Sequence, residues 1–180
     1  MNIPNFLLAI VVFSSCAHVK VKTSYDPSVD FTQYKSWCWL QGCELTYQGP
    51  NYLYDSATLE TIGNLVAVEM YEKGFVQLDD NSDMIVDFHI IVKEDSAIFS
   101  MVHEEDVPFL GPNTDDYYRF LRGTLVIDIR DGPSGRMIWR TQAERLMSMR
   151  PDLKNSDIRR GVKKAMRDFP PTPTVTDEKE

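Results

Sequence analysis

Cys16 is the side chain whose surroundings specify a reaction most fully. It closes the run Phe6 to Ser15, and its thiol is a nucleophile for diacylglyceryl transfer. Ser14 and Ser15 are small enough for a signal-peptidase pocket. Asp87 and His89 lie two apart on a predicted strand, so both point to one face, where a carboxylate could orient an imidazole as a general base. His103, Glu104, Glu105 and Asp106 offer metal-ligand types in a row. Adjacent residues diverge in any regular conformation, so at most two could meet one ion. Arg159, Arg160, Lys163, Lys164 and Arg167 recur on one side of a predicted helix and could meet anionic headgroups or an acidic partner. Cys38 and Cys43, with Gly42 between them, could close a small disulfide loop in an oxidising compartment.

Each candidate has a plainer reading. No Ser or Cys stands in a nucleophile elbow to serve Asp87 and His89, which then form a polar pair on the second sheet face. The His103 to Asp106 run and the Asp115-Asp116-Tyr117-Tyr118 cluster are ordinary for a surface loop. The basic stripe is a solvated helix face that also complements the helix dipole. If the stripe instead meets anionic headgroups, charge reversal at Lys163 and Lys164 should abolish that binding and leave the fold intact, because neither lies on the apolar stripe. Cys38 and Cys43 can equally stay free thiols, because strand geometry can aim their side chains apart. No catalytic residue, cofactor or metal is expected.

The N-terminal run has its own constraints. The apolar core Phe6 to Phe13 is far shorter than the roughly 20 residues of a membrane-spanning helix and has the length of a signal-peptide core. The first 15 residues hold no Lys or Arg, and Phe13 stands where Leu is usual. A buried N-terminal strand is the other reading, against which stand Pro4 and the lack of alternation. The expectation is a signal over 1–15, a lipidated tether over 16–18 and a domain over 19–171. A polar tail over 172–180 follows. Two or more acyl chains hold a protein stably on a membrane. Ala17 is not the aspartate of inner-membrane retention, which favours the periplasmic leaflet of the outer membrane.

The remaining 165 of 180 residues suffice for one domain, burying roughly 70% of its unfolded surface. The net charge of −8 argues against nucleic acid. Strand alternation is expected over Val19 to Tyr25, Ser36 to Leu40, Phe75 to Leu78, Met84 to Val92, Thr124 to Arg130 and Met137 to Ala143. A helix capped at Asp55 or Ser56 carries Leu59, Ile62, Val66 and Met70 and stops at Gly74. A second helix over Asn155 to Phe169 carries Ile158, Val162, Ala165, Met166 and Phe169. Gln41 to Tyr54 reads as loop, and residues 95–121 show no clear pattern. The expected fold is α+β, a single domain with a mainly antiparallel sheet and two helices packed on one face.

Several landmarks fall in a recognisable order: Tyr25-Asp26-Pro27-Ser28-Val29-Asp30-Phe31 with Tyr34-Lys35-Ser36, Lys73-Gly74-Phe75, and the Asp83 to His89 strand. Gly123 to Asp128, Met137-Ile138-Trp139-Arg140 and the closing Phe169-Pro170-Pro171 complete the set. In this order, with Cys16 just upstream, the chain resembles the bacterial lipoprotein family of domain of unknown function 4136. The resemblance implies a small α+β envelope domain and transfers no catalytic residue.

The leading expectation is a non-enzymatic binding or scaffolding domain, held on the membrane by lipid on Cys16. Its partner would be an envelope protein or anionic lipid. A hydrolase of an envelope polymer using Asp87 and His89 is one alternative. A carrier of an apolar ligand is another, and it requires an apolar cavity between sheet and helices.

Overall fold

The apolar alternations close into one open sheet of seven mostly antiparallel strands with two α-helices, an α+β fold. The computed structural model describes residues 19–40, 46–98 and 117–172. The strands are β1 (Lys20–Tyr25), β2 (Ser36–Trp39), β3 (Thr46–Gln48), β4 (Val76–Gln77), β5 (Met84–Ile98), β6 (Tyr117–Asp131) and β7 (Met137–Met147). The helices are α1 (Ser56–Glu72) and α2 (Asn155–Met166). Strand order is β1-β7-β6-β5-β2-β4, with β3 beside β5 further along the same edge.

Long antiparallel ladders join β5 to β6 and β6 to β7, with β1 on the outer side of β7. The β2, β3 and β4 pairings are parallel, a half of the sheet that the hairpin signals did not announce. The turn between β6 and β7 falls where Asp131-Gly132-Pro133-Ser134-Gly135 places it, with Gly135 at φ +67°. The turn is held from within by Asp131, whose carboxylate accepts from the Ser134 amide at 2.9 Å and from Tyr34 Oη at 3.0 Å.

Helix α1 starts as its sequence requires. Asp55 caps it, accepting from the amides of Ala57 and Thr58 at 3.2 Å each, and Gly74 at φ +88° ends it. Leu59, Ile62, Leu65, Val66 and Met70 are its buried residues. All but Leu59 share one core with Val86, Phe88, Ile127, Ile129, Trp139 and, from α2, Val162, Ala165 and Met166.

Four boundaries differ from the sequence reading. The loop over 41–54 contains β3 and a 3-10 turn at Asn51–Leu53. The strand expected over Phe75 to Leu78 is only two residues long. Residues 95–121 contribute the end of β5 and the start of β6. Phe169 lies beyond the end of α2, yet it is buried, with its ring 5.1 Å from that of Trp139 and 5.5 Å from that of Phe75.

Candidate functional site

An apolar cavity of about 180 Å³ lies among α1, α2 and the sheet and is partly open to solvent. Its walls come from Leu59 and Ile62 of α1, Ile158 and Val162 of α2, and Ile90, Leu125 and Ala143 of the sheet. An apolar cavity of about 150 Å³ suffices to hold a benzene molecule, so this one has room for a short stretch of hydrocarbon.

Two glycines help leave the space open. Gly123 faces the cavity from β6, and a Cβ there would stand 2.7 Å from Met147 Cε. Gly161 faces it from α2, where a Cβ would meet nothing within 4 Å. A side chain at Gly161 would take up volume that the fold leaves empty, whereas one at Gly123 would press on Met147.

Val19 also lines the cavity, at the point where the described chain begins. Lys164 of α2 holds it there, its Nζ donating to the Val19 carbonyl oxygen at 2.6 Å. The remaining members of the basic stripe are exposed: Arg159, Arg160, Lys163 and Arg167. Arg160 pairs with Asp157, and Arg167 with Asp168 at 2.9 Å. Lys164 is therefore half-buried and bonded to the backbone, and does not share the fully exposed character expected of the whole stripe.

One wall residue is out of character. Arg145 of β7 lines the cavity in the same alternation as Trp139, Thr141 and Ala143. Its Nε is buried without a hydrogen-bond partner, and it makes no ion pair among the described residues. The carboxylates that also line the cavity are engaged elsewhere: Asp55 caps α1, and Asp157 takes Arg160. The sequence reading missed Arg145 because it stopped the returning strand at Ala143. The alternation in fact runs on through Arg145 to Met147, and that continuation was the available signal.

The Asp87–His89 pair does form, with His89 Nε2 3.0 Å from Asp87 Oδ2. Asp87 stands opposite Asp128 in the β5–β6 register, and Asp128 receives a two-pronged contact from Arg140 at 2.5 and 2.6 Å. These groups share the strand phase opposite to Val86 and Phe88. A second cleft of about 200 Å³ touches Asp87, and Trp39, Glu60, Gly63 and Asn64 also line it. No hydroxyl or thiol side chain is among its described lining residues.

Cys38 is buried, with a free thiol. Cys16, Cys43, the His103 to Asp106 run, Asp115 and Asp116 lie outside the described residues. Among the described residues no helix is long and apolar enough to cross a membrane, and no three His, Cys, Asp or Glu side chains gather as a metal site.

The family model described as "Domain of unknown function (DUF4136)" matches residues 21–171. No curated protein matches the chain. A PDZ domain protein from Parabacteroides distasonis is similar in fold, with a TM-score of 0.54 at 15% identity over 86% of this chain. The chain spans only 36% of that structure. The PelC dodecamer from Paraburkholderia phytofirmans gives a TM-score of 0.48 at 12% identity, over 83% of this chain and 95% of that one. Protein XCC0632 from Xanthomonas campestris gives 0.36 at 11% identity, over 82% and 85%.

Proposed function

We propose, for a chain that belongs to the DUF4136 family of domains of unknown function, a non-enzymatic binding role at a membrane surface of the cell envelope. In this reading lipid on Cys16 anchors the domain at the periplasmic face of the outer membrane. Both helices layer on the sheet face that carries Phe88, Ile127 and Trp139, and the space left between the layers receives an apolar ligand.

The observation that carries the proposal is the position of the cavity. Its wall includes Val19, three residues after Cys16. Three residues reach about 10 Å at full extension, so an anchor on Cys16 keeps the cavity within reach of the bilayer. The exposed side chains Arg159 and Lys163 lie on the same helix as the cavity residues Ile158 and Val162 and add attraction toward anionic headgroups.

The test uses the Cys16→Ser chain and N-phenyl-1-naphthylamine, an uncharged apolar probe. Fluorescence should rise saturably as the probe binds. Gly161→Phe, which fills the cavity from a position with no neighbour within 4 Å, should remove that rise while the variant still melts cooperatively. A titration without a saturable component contradicts the proposal, as does one that a folded Gly161→Phe protein reproduces.

A hydrolase remains the second reading, favoured by the 3.0 Å His89–Asp87 contact. His89→Ala that leaves complementation of a deletion phenotype unchanged removes the only general-base candidate among the described residues.

A further inference from the structure

We infer that the cavity takes an acyl chain ending in a carboxylate, a free fatty acid, with Arg145 as the group that recognises its acidic end. The inference rests on the binding role proposed above and names the ligand class.

The argument begins from a cost. A guanidinium cannot shed its charge at any physiological pH, and burying a charge is expensive unless it is paired. Arg145 stands on the core side of β7, among positions otherwise held by Trp139, Thr141, Ala143 and Met147. The residue as a whole is half-buried, but its Nε is out of water and lacks an acceptor among the described residues. Arg122 bridges Asp95 and Glu144, and Arg140 grips Asp128; Arg130 Nε also lacks a partner, but of the two only Arg145 lines the cavity. Packing alone does not ask for an arginine here, since the neighbouring wall is Leu125, Ile158 and Val162.

A ligand with two ends resolves the mismatch. Hydrocarbon fills the apolar space, and a carboxylate supplies the planar pair of acceptors that fits a guanidinium. The two carboxylates on the wall, Asp55 and Asp157, are each held by other donors and leave Arg145 without an ion pair among the described residues. The acyl chains of an anchor on Cys16 end in no carboxylate, so they would leave Arg145 unsatisfied. Room for a short hydrocarbon stretch in about 180 Å³ means that a long chain emerges from the open side.

The experiment compares two ligands of equal chain length, dodecanoate and dodecan-1-ol, by calorimetric titration of the Cys16→Ser chain below the micellar range. Dodecanoate should bind about tenfold or more tightly than the alcohol, the gain expected of a hydrogen bond to a charged group. Arg145→Gln should erase the preference by weakening only the acid, and Arg145→Lys should retain part of it. The melting temperature of ligand-free Arg145→Gln should not fall, because no partner is lost. Equal affinities of the unaltered cavity for acid and alcohol overturn the inference without any variant, and leave the apolar-ligand proposal standing. Binding of neither overturns both. A preference that survives Arg145→Gln, or a lower ligand-free melting temperature in that variant, assigns Arg145 a structural role and overturns the inference too.

Discussion

Lys164 Nζ donates to the backbone carbonyl of Val19 across 2.6 Å, joining the last helix to the first described residue of the chain. That bond fixes one wall of the cavity to the end of the domain nearest Cys16. It also separates two neighbouring lysines, because Lys163 is exposed and Lys164 is half-buried.

Lys164→Glu should therefore destabilise the fold, since a hydrogen bond from a charged donor contributes about 1.5–3 kcal/mol and the new carboxylate would face a carbonyl. Lys163→Glu should change stability by less than about 0.5 kcal/mol, as surface substitutions usually do. Chemical denaturation of both variants, with amide exchange at Val21 and Thr23, reads the difference. Equal stability of the two would remove the structural role of Lys164.

Trp139→Ala should rank among the most damaging single changes. The ring is fully buried and packs edge-on against Phe169 at 5.1 Å. Truncation of a buried Trp costs about 3–5 kcal/mol, or roughly 6 °C or more in melting temperature for a domain of this size. A shift of a degree or two would place the ring at the surface.

Two glycines should respond in opposite directions to alanine. At Gly132 a Cβ would stand 2.1 Å from the Ser82 carbonyl oxygen and 3.0 Å from that of Asp83, so backbone must move and stability must fall. At Gly161, inside α2 and facing open space, alanine should stabilise by up to about 1 kcal/mol through helix propensity. Thermal melts of Gly132→Ala and Gly161→Ala decide both, and a matching sign would contradict the packing described.

Acid should weaken the junction of β2 and β5. Asp83 accepts from the amides of Lys35 at 2.8 Å and Ser36 at 2.9 Å, and these bonds hold its carboxyl below the usual range. Ser134 hydroxyl and amide do the same for Asp131. A depressed folded pKa gives stability that is complete above the unfolded carboxylate value of about 3.9. That stability is lost as pH falls through the lower folded value. The stability gap between the unaltered protein and Asp83→Asn should thus be constant near neutrality and close below about pH 4. A gap that stays constant down to pH 2.5 would contradict it.

Cys16→Ser should abolish membrane association. Wild-type protein should incorporate labelled palmitate and stay in the membrane pellet, and the variant should do neither. A variant retained after a high-salt wash would remove the anchor from the account.

The sequence was legible where burial writes a period. Met84, Val86, Phe88, Ile90 and Val92 alternate because they line the sheet's core side, and the Asp55 cap and Gly74 stop bracket α1. Beyond Val92 the β5–β6 ribbon is held by its ladder and by cross-strand pairs such as Arg119–Glu94 and Arg122–Asp95. Charged pairs leave no apolar alternation, so that stretch read as patternless. β3 is three residues long and pairs with a strand some forty positions away, which no local signal can encode. The cavity was invisible for a different reason: it is the space between Leu59, Leu125 and Ile158, and only their tertiary arrangement creates it.

The most direct test of the account is methyl-resolved nuclear magnetic resonance of the Cys16→Ser chain titrated with dodecan-1-ol, whose uncharged head leaves the question of Arg145 aside. Binding in the cavity predicts intermolecular Overhauser contacts from the ligand methylenes to the methyls of Leu59, Leu125 and Ile158, and none to Ile138, a core residue that does not line the cavity. Contacts confined to other methyls, or none at saturating ligand, would contradict a binding role for this cavity.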